Sequence, residues 1–137
     1  MDGLIESQWL VSVNVNGADL GIWDSFGGGD TTAKVAHHRP GGMGPEKLYR
    51  GLPTYAAVTV GRAYERARDH EQVRLMQTLV GVASMTVTKQ PLDENRQAWG
   101  KPIVYRGKLS GVKPGKADST SENVDMCELD CEVSTIA

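Results

Sequence analysis

Three carboxylates and two thiols alternate through residues 126–133, MCELDCEV. Glu128, Asp130 and Glu132 take every second position, and Cys127, Leu129, Cys131 and Val133 take the positions between. A metal site, a disulfide, an acid/base pair or one face of a strand would each use such residues. Strict alternation predicts a strand, with the acids on one face and the sulfurs on the other. At the rise of a strand the two cysteine Cα atoms stand roughly 13 Å apart. A disulfide needs less than about 7 Å, and one tetrahedral zinc with Zn–S near 2.3 Å is out of reach of both thiolates. The cysteines therefore read as small buried hydrophobes.

The carboxylates lie about 6–7 Å apart along one line with no basic residue interleaved on that strand. Glycosidase-type chemistry needs two acids in different environments around a cleft, and one flat row gives all three nearly the same environment. An ordinary solvated face is the alternative. Elsewhere, His37 and His38 fall on opposite faces of a strand and cannot chelate one ion. The run GGGDTTAK lacks the GK[ST] ending and following helix of a phosphate loop, and no serine sits in a G-x-S-x-G elbow. The expectation is no catalytic constellation, no cofactor and no metal.

Those residues need a frame. At 137 residues the chain has the size of a single domain, residues 1–137, able to bury a core without staples. A net charge of −2 argues against tight binding to phosphate backbones. Sixteen glycines and six prolines favour a β-rich fold with frequent reversals. The first residues, MDGLIESQWLV, lack a secretory pattern, no segment approaches a membrane helix, and two cysteines fit a reducing compartment. A soluble protein made in the cytoplasm is expected.

Residues 9–16 alternate, and Asn16-Gly17 predicts a two-residue hairpin turn. The partner strand is expected over 20–26 and a third over 31–38. Residues 39–53, RPGGMGPEKLYRGLP, read as an extended loop. A strand follows over 55–62, then an amphipathic helix over 69–81, capped by Asp69 with Gln72 as its return partner and stopping at Gly81. Strands over 85–89, 103–111 and 124–136 complete about seven strands and one helix, an α+β, mainly β, barrel-like domain.

The order of these parts resembles the tail tube proteins of tailed bacteriophages and the related inner-tube proteins of contractile injection systems and type VI secretion. The resemblance spans roughly residues 45–136. It is carried by Tyr55-x-x-Val58-Thr59-Val60-x-Arg62, by Gly100-Lys101-Pro102 before Tyr105, and by Asp118-Ser119 ahead of the closing strand. It implies a β-sandwich or barrel with one flanking helix, forming hexameric rings that stack into a tube. It further implies tape measure, terminator and baseplate proteins as partners, double-stranded DNA as cargo, and a location in the virion tail, without enzymatic activity.

Under that resemblance Glu128, Asp130 and Glu132 face the lumen, where carboxylates repel phosphates and let DNA slide. The segment Pro40, Gly41, Gly42, Met43, Gly44, Pro45 and Glu46 becomes a ring-stacking loop, ordered against the next ring. A small-ligand-binding β-barrel is the reading from another class. It predicts a monomer with a sealed apolar cavity.

Overall fold

The computed structural model describes residues 3–4, 8–42 and 44–137. The elements run β1 (Trp9–Val15), β2 (Ala18–Trp23), β3 (Ser25–Gly28), β4 (Thr31–His38), β5 (Lys47–Tyr55), β6 (Val58–Ala63), α1 (Arg66–Leu79), β7 (Ser84–Pro91), β8 (Ile103–Lys113) and β9 (Met126–Ile136). Seven strands form one antiparallel sheet in the order β2-β1-β7-β8-β9-β6-β3, and β4 pairs with β5 in a separate two-stranded sheet.

The opening hairpin follows its local chemistry. Asn16 and Gly17 both take positive φ (51° and 84°), the left-handed geometry that a tight I′-type turn requires, and Val15 pairs with Ala18 across it. The strand expected over 20–26 is broken at Asp24. There the chain leaves one edge of the sheet, β2, and enters the opposite edge, β3. That transfer is short because the sheet curls. The Asp24 amide donates to the Gly61 carbonyl at 2.9 Å, and Asp24 Oδ2 accepts the Ala63 amide at 3.0 Å. Among the described residues no ladder joins β2 to β3, so the curl is barrel-like but open, in keeping with the α+β, mainly β fold expected.

Alternating apolar residues fill the inside of the curl. Val11, Val13 and Val15 of β1, Val58 and Val60 of β6, Met85 and Val87 of β7, Leu109 of β8 and Leu129 of β9 are all buried. Truncating one of the larger side chains to alanine would cost about 2–5 kcal/mol.

Helix α1 adds Val73 and Met76 to this core. It begins at Arg66 and ends at Leu79, not at 69 and 81. Asp69 therefore lies inside the first turn, buried, and the N-cap position belongs to Glu65, which makes no side-chain cap bond. Asp69 Oδ2 instead accepts the Glu65 amide at 2.9 Å. The Gln72 side chain goes to Arg62 rather than back to the cap. At the other end Gly81 takes φ +83° just past the C-cap Val80, and its amide donates to the Leu109 carbonyl at 2.7 Å. The left-handed step turns the chain onto β8.

The extended loop over 39–53 is shorter than expected, because β5 occupies its second half. Pro53 stands opposite Ala33 inside that ladder. In a two-stranded sheet both strands are edges, so a residue with no amide proton is tolerated where its nitrogen faces outward.

Candidate functional site

β9 is an interior strand of the main sheet, flanked by β8 and β6. Its alternation is sharp. Cys127, Leu129, Cys131 and Val133 are buried, Glu128 and Asp130 are half-buried, and Glu132 is exposed. Burial pushes the Cys131 thiol up to about 11, aided by the nearby Glu132 charge. Burial also raises Cys127, with the Asp69 charge adding to it. Both stay protonated at neutral pH and pack as apolar groups.

On the opposite face the carboxylates are held by neighbouring strands. Thr59 Oγ1 of β6 donates to Asp130 Oδ1 at 2.8 Å. Two glycines make room for the row. A Cβ on Gly111 of β8 would meet Asp130 Oδ2 at 2.8 Å, and one on Gly61 of β6 would meet Glu128 Cγ at 3.3 Å. The row is single-signed along β9 but not across the sheet. Lys113 Nζ lies 3.4 Å from Glu128 Oε2, Lys108 stands in register with Glu132, and Arg106 is exposed further along β8. Acid and base stripes therefore run side by side. Sequence reasoning missed the β8 cations, because their place beside the acids depends on strand register, and Lys113 joins them only through the bulge between Leu109 and Gly111. Beyond β8 the same face continues in hydroxyls and amides. Ser12, Asn14, Thr86 and Thr88 line a shallow trough of about 370 Å³ bounded by Arg106 and Asp19. Among the described residues no cluster of three His, Cys, Asp or Glu is placed to hold a metal ion.

The second candidate site is the arm made of β4 and β5. Every residue of β4 is exposed. Val35, Leu48, Tyr49 and Leu52 carry apolar surface into water, Leu52 at 89% exposure. The arm ends in the turn that contains Pro40, Gly41, Gly42, Gly44, Pro45 and Glu46; Met43 lies outside the described residues. His37 Nδ1 and Glu46 Oε1 meet at 3.0 Å across the base of this turn, while His38 packs edge-on against Tyr49 from the other face, ring centres 6.1 Å apart. Sequence reasoning placed a loop over 39–53 and missed the β5 ladder that takes up its second half.

A third cluster joins residues that the sequence did not bring together. Arg62 of β6 is 2% exposed and Asp69 of α1 is 1% exposed, and they meet at 2.6 Å. Arg62 Nη1 also donates to the carbonyls of Leu20 (2.5 Å) and Ile22 (3.4 Å), Nη2 donates to Gln72 Oε1 at 2.9 Å, and the guanidinium lies 4.2 Å over the Trp23 ring. This cluster ties β2 and β6 to the helix.

No family model and no curated protein matches the sequence. Solved structures do match in fold. A chain of the anti-feeding prophage baseplate superposes with a TM-score of 0.72 at 15% identity, over 100% of this chain and 95% of that one. A chain of the PVC sheath/tube terminator, from an extracellular contractile injection system, gives 0.71 at 13% identity over 100% and 96%. A chain of the PVC sheath–tube complex in its extended state gives 0.68 at 11% identity over 99% and 90%. The fold is thus that of components of contractile injection particles, in agreement with the resemblance read from the sequence.

Proposed function

We propose that this chain is a structural subunit of a tail-like tube, in which six copies form a ring and rings stack into a hollow conduit. The observation that carries the reading is the β4–β5 arm. An isolated two-stranded hairpin is marginal in water, and this one exposes Val35, Leu48, Tyr49 and Leu52 along its length. Such an arm makes physical sense when a neighbouring copy covers it. The unpaired edges at β2 and β3 support the same reading, since edges that threaten a lone monomer become useful when copies supply the missing ladder. The six-fold symmetrised baseplate among the structural neighbours matches a ring of six.

In this arrangement the polar face of the sheet lines the bore. Glu128, Asp130 and Glu132 present a negative stripe to the lumen, and Arg106, Lys108 and Lys113 are held beside it rather than forming a continuous cationic surface. Double-stranded DNA then finds no uniform positive wall to grip and moves through without specific binding. Terminator, baseplate and tape measure proteins are the proposed partners, and the tail of a particle the location. The arm's tip, residues 40–46, is proposed as the ring-to-ring contact.

A second reading within the same class is the inner tube of a contractile machine. It is favoured by the sheath–tube complex and the sheath/tube terminator among the structural neighbours. Negative-stain microscopy of the purified protein tests the class: rings or hollow filaments support it, and a monomer at every concentration overturns it. Co-assembly with a sheath protein separates the second reading from the first.

A further inference from the structure

An open cleft of about 650 Å³ lies beside the turn that follows β7. Its described lining brings Leu4, Leu92 and Trp99 together with Asp93 and Glu94. Trp99 is 67% exposed, a large aromatic surface left in water on a stiff support. Its amide donates to the Pro91 carbonyl at 3.0 Å, and Gln90 Nε2 donates to the carbonyls of Trp99 (3.0 Å) and Gly100 (3.2 Å). Asp93 Oδ1 gathers the amides of Asn95 (2.9 Å) and Gln97 (2.8 Å). An aromatic side chain carried on a backbone held in this way adds little backbone ordering cost when covered, which suits a binding anchor.

The β4–β5 arm carries the complementary chemistry. Residues 31–55 hold four cations, Lys34, Arg39, Lys47 and Arg50, against one carboxylate, Glu46. The cleft's described lining offers the Asp93 carboxylate beside its apolar surface; Arg96 of the same turn lies outside it. The arm also has a knob. Ala33 pairs with Pro53 and Val35 with Arg50, so Gly51 and Leu52 bulge out of the ladder, and Leu52 stands almost wholly in water. Leu52 and Trp99 both remain exposed in a single chain, so neither covers the other within one copy.

We propose that the arm of one copy docks in the Trp99 cleft of a second copy, with Leu52 seated on the indole and the arm's cations facing Asp93. The proposal rests on the assembly reading above and adds to it a receiving surface.

Tryptophan emission tests it, because Trp23 is buried and Trp9 half-buried while Trp99 is open. On concentrating the wild-type protein, emission should move to shorter wavelength, and Trp99→Phe should abolish that shift. Leu52→Asp and Trp99→Ala, both at exposed positions, should keep the wild-type circular dichroism yet weaken association by about 30-fold or more, the loss of one interface hot spot. Assembly with unchanged Trp99 emission overturns this contact and leaves the tube reading standing. Weakening by Leu52→Asp but not by Trp99→Ala means that the arm docks elsewhere, and it also overturns the contact. A wild-type chain that never associates overturns both.

Discussion

Arg62 and Asp69 form an ion pair at 2.6 Å with both side chains almost fully buried. A charge pair in such a place is retained at a desolvation cost, so its geometry must be good. The two residues are not equally supported. Asp69 also accepts from Arg68 Nε at 3.0 Å and from Nη2 at 2.9 Å, and from the Glu65 amide. Among the described residues Arg62 has no second anionic partner, only carbonyls, the Gln72 amide and the Trp23 ring.

Asp69→Ala should therefore destabilise the subunit by about 3–5 kcal/mol, the cost of leaving a buried charge unpaired. Arg62→Met should cost less, because Asp69 keeps Arg68. The double replacement Arg62→Met with Asp69→Ala should recover part of the loss. Urea unfolding of the three variants measures this, and additive single-site effects would contradict the coupling.

The same pair contributes to stability in acid. Burial is the largest influence on Asp69 and would raise its pKa. The hydrogen bonds from Arg68 and the Glu65 amide, with the charges of Arg62 and Arg68, outweigh burial and hold it below the ordinary carboxylate value. A depressed folded-state pKa gives stability that is complete above the unfolded value of about 3.9 and is lost as pH falls through the lower folded value. The urea midpoint should be flat near neutrality and drop in strong acid, and Asp69→Asn should flatten that drop.

This cluster also marks where sequence reasoning stopped. The β9 alternation, the Asn16-Gly17 turn and the Gly81 helix stop each depend on neighbours a few residues away, and all three were legible. Asp69 looked like a helix cap because its partner Arg62 sits on another element, and β5 looked like a loop because Gly51 and Pro53 are strand breakers in most settings. A two-stranded arm relaxes that rule, since half of its amides have no partner to lose. The β8 cations that flank the acidic row needed strand register, and a bulge hid it.

Removing residues 40–46 tests the arm's tip. The described residues among them lie outside both sheets, and the core is built elsewhere. The shortened subunit should keep a wild-type unfolding midpoint within about 0.5 kcal/mol, yet microscopy should find single rings or short stacks in place of long tubes. Tubes of normal length would reject a stacking role for the tip.

The lumen assignment stands or falls on Glu128, Asp130 and Glu132. Replacing all three with lysine removes the Lys113 ion pair and the Thr59 hydrogen bond. It also sets new cations against Lys108, Lys113 and Arg106 on β8. Pairs at this level of exposure are worth about 0–1 kcal/mol each, so the subunit should lose only a few kcal/mol and still assemble. The bore would then carry adjacent cationic rows from every copy. A polyanionic cargo should be held there, with retention that weakens as salt rises. Ejection from particles built with the triple variant should slow or stall at low ionic strength and recover in part at high. Ejection at the wild-type rate at every salt concentration would mean that this face of β9 does not line the channel.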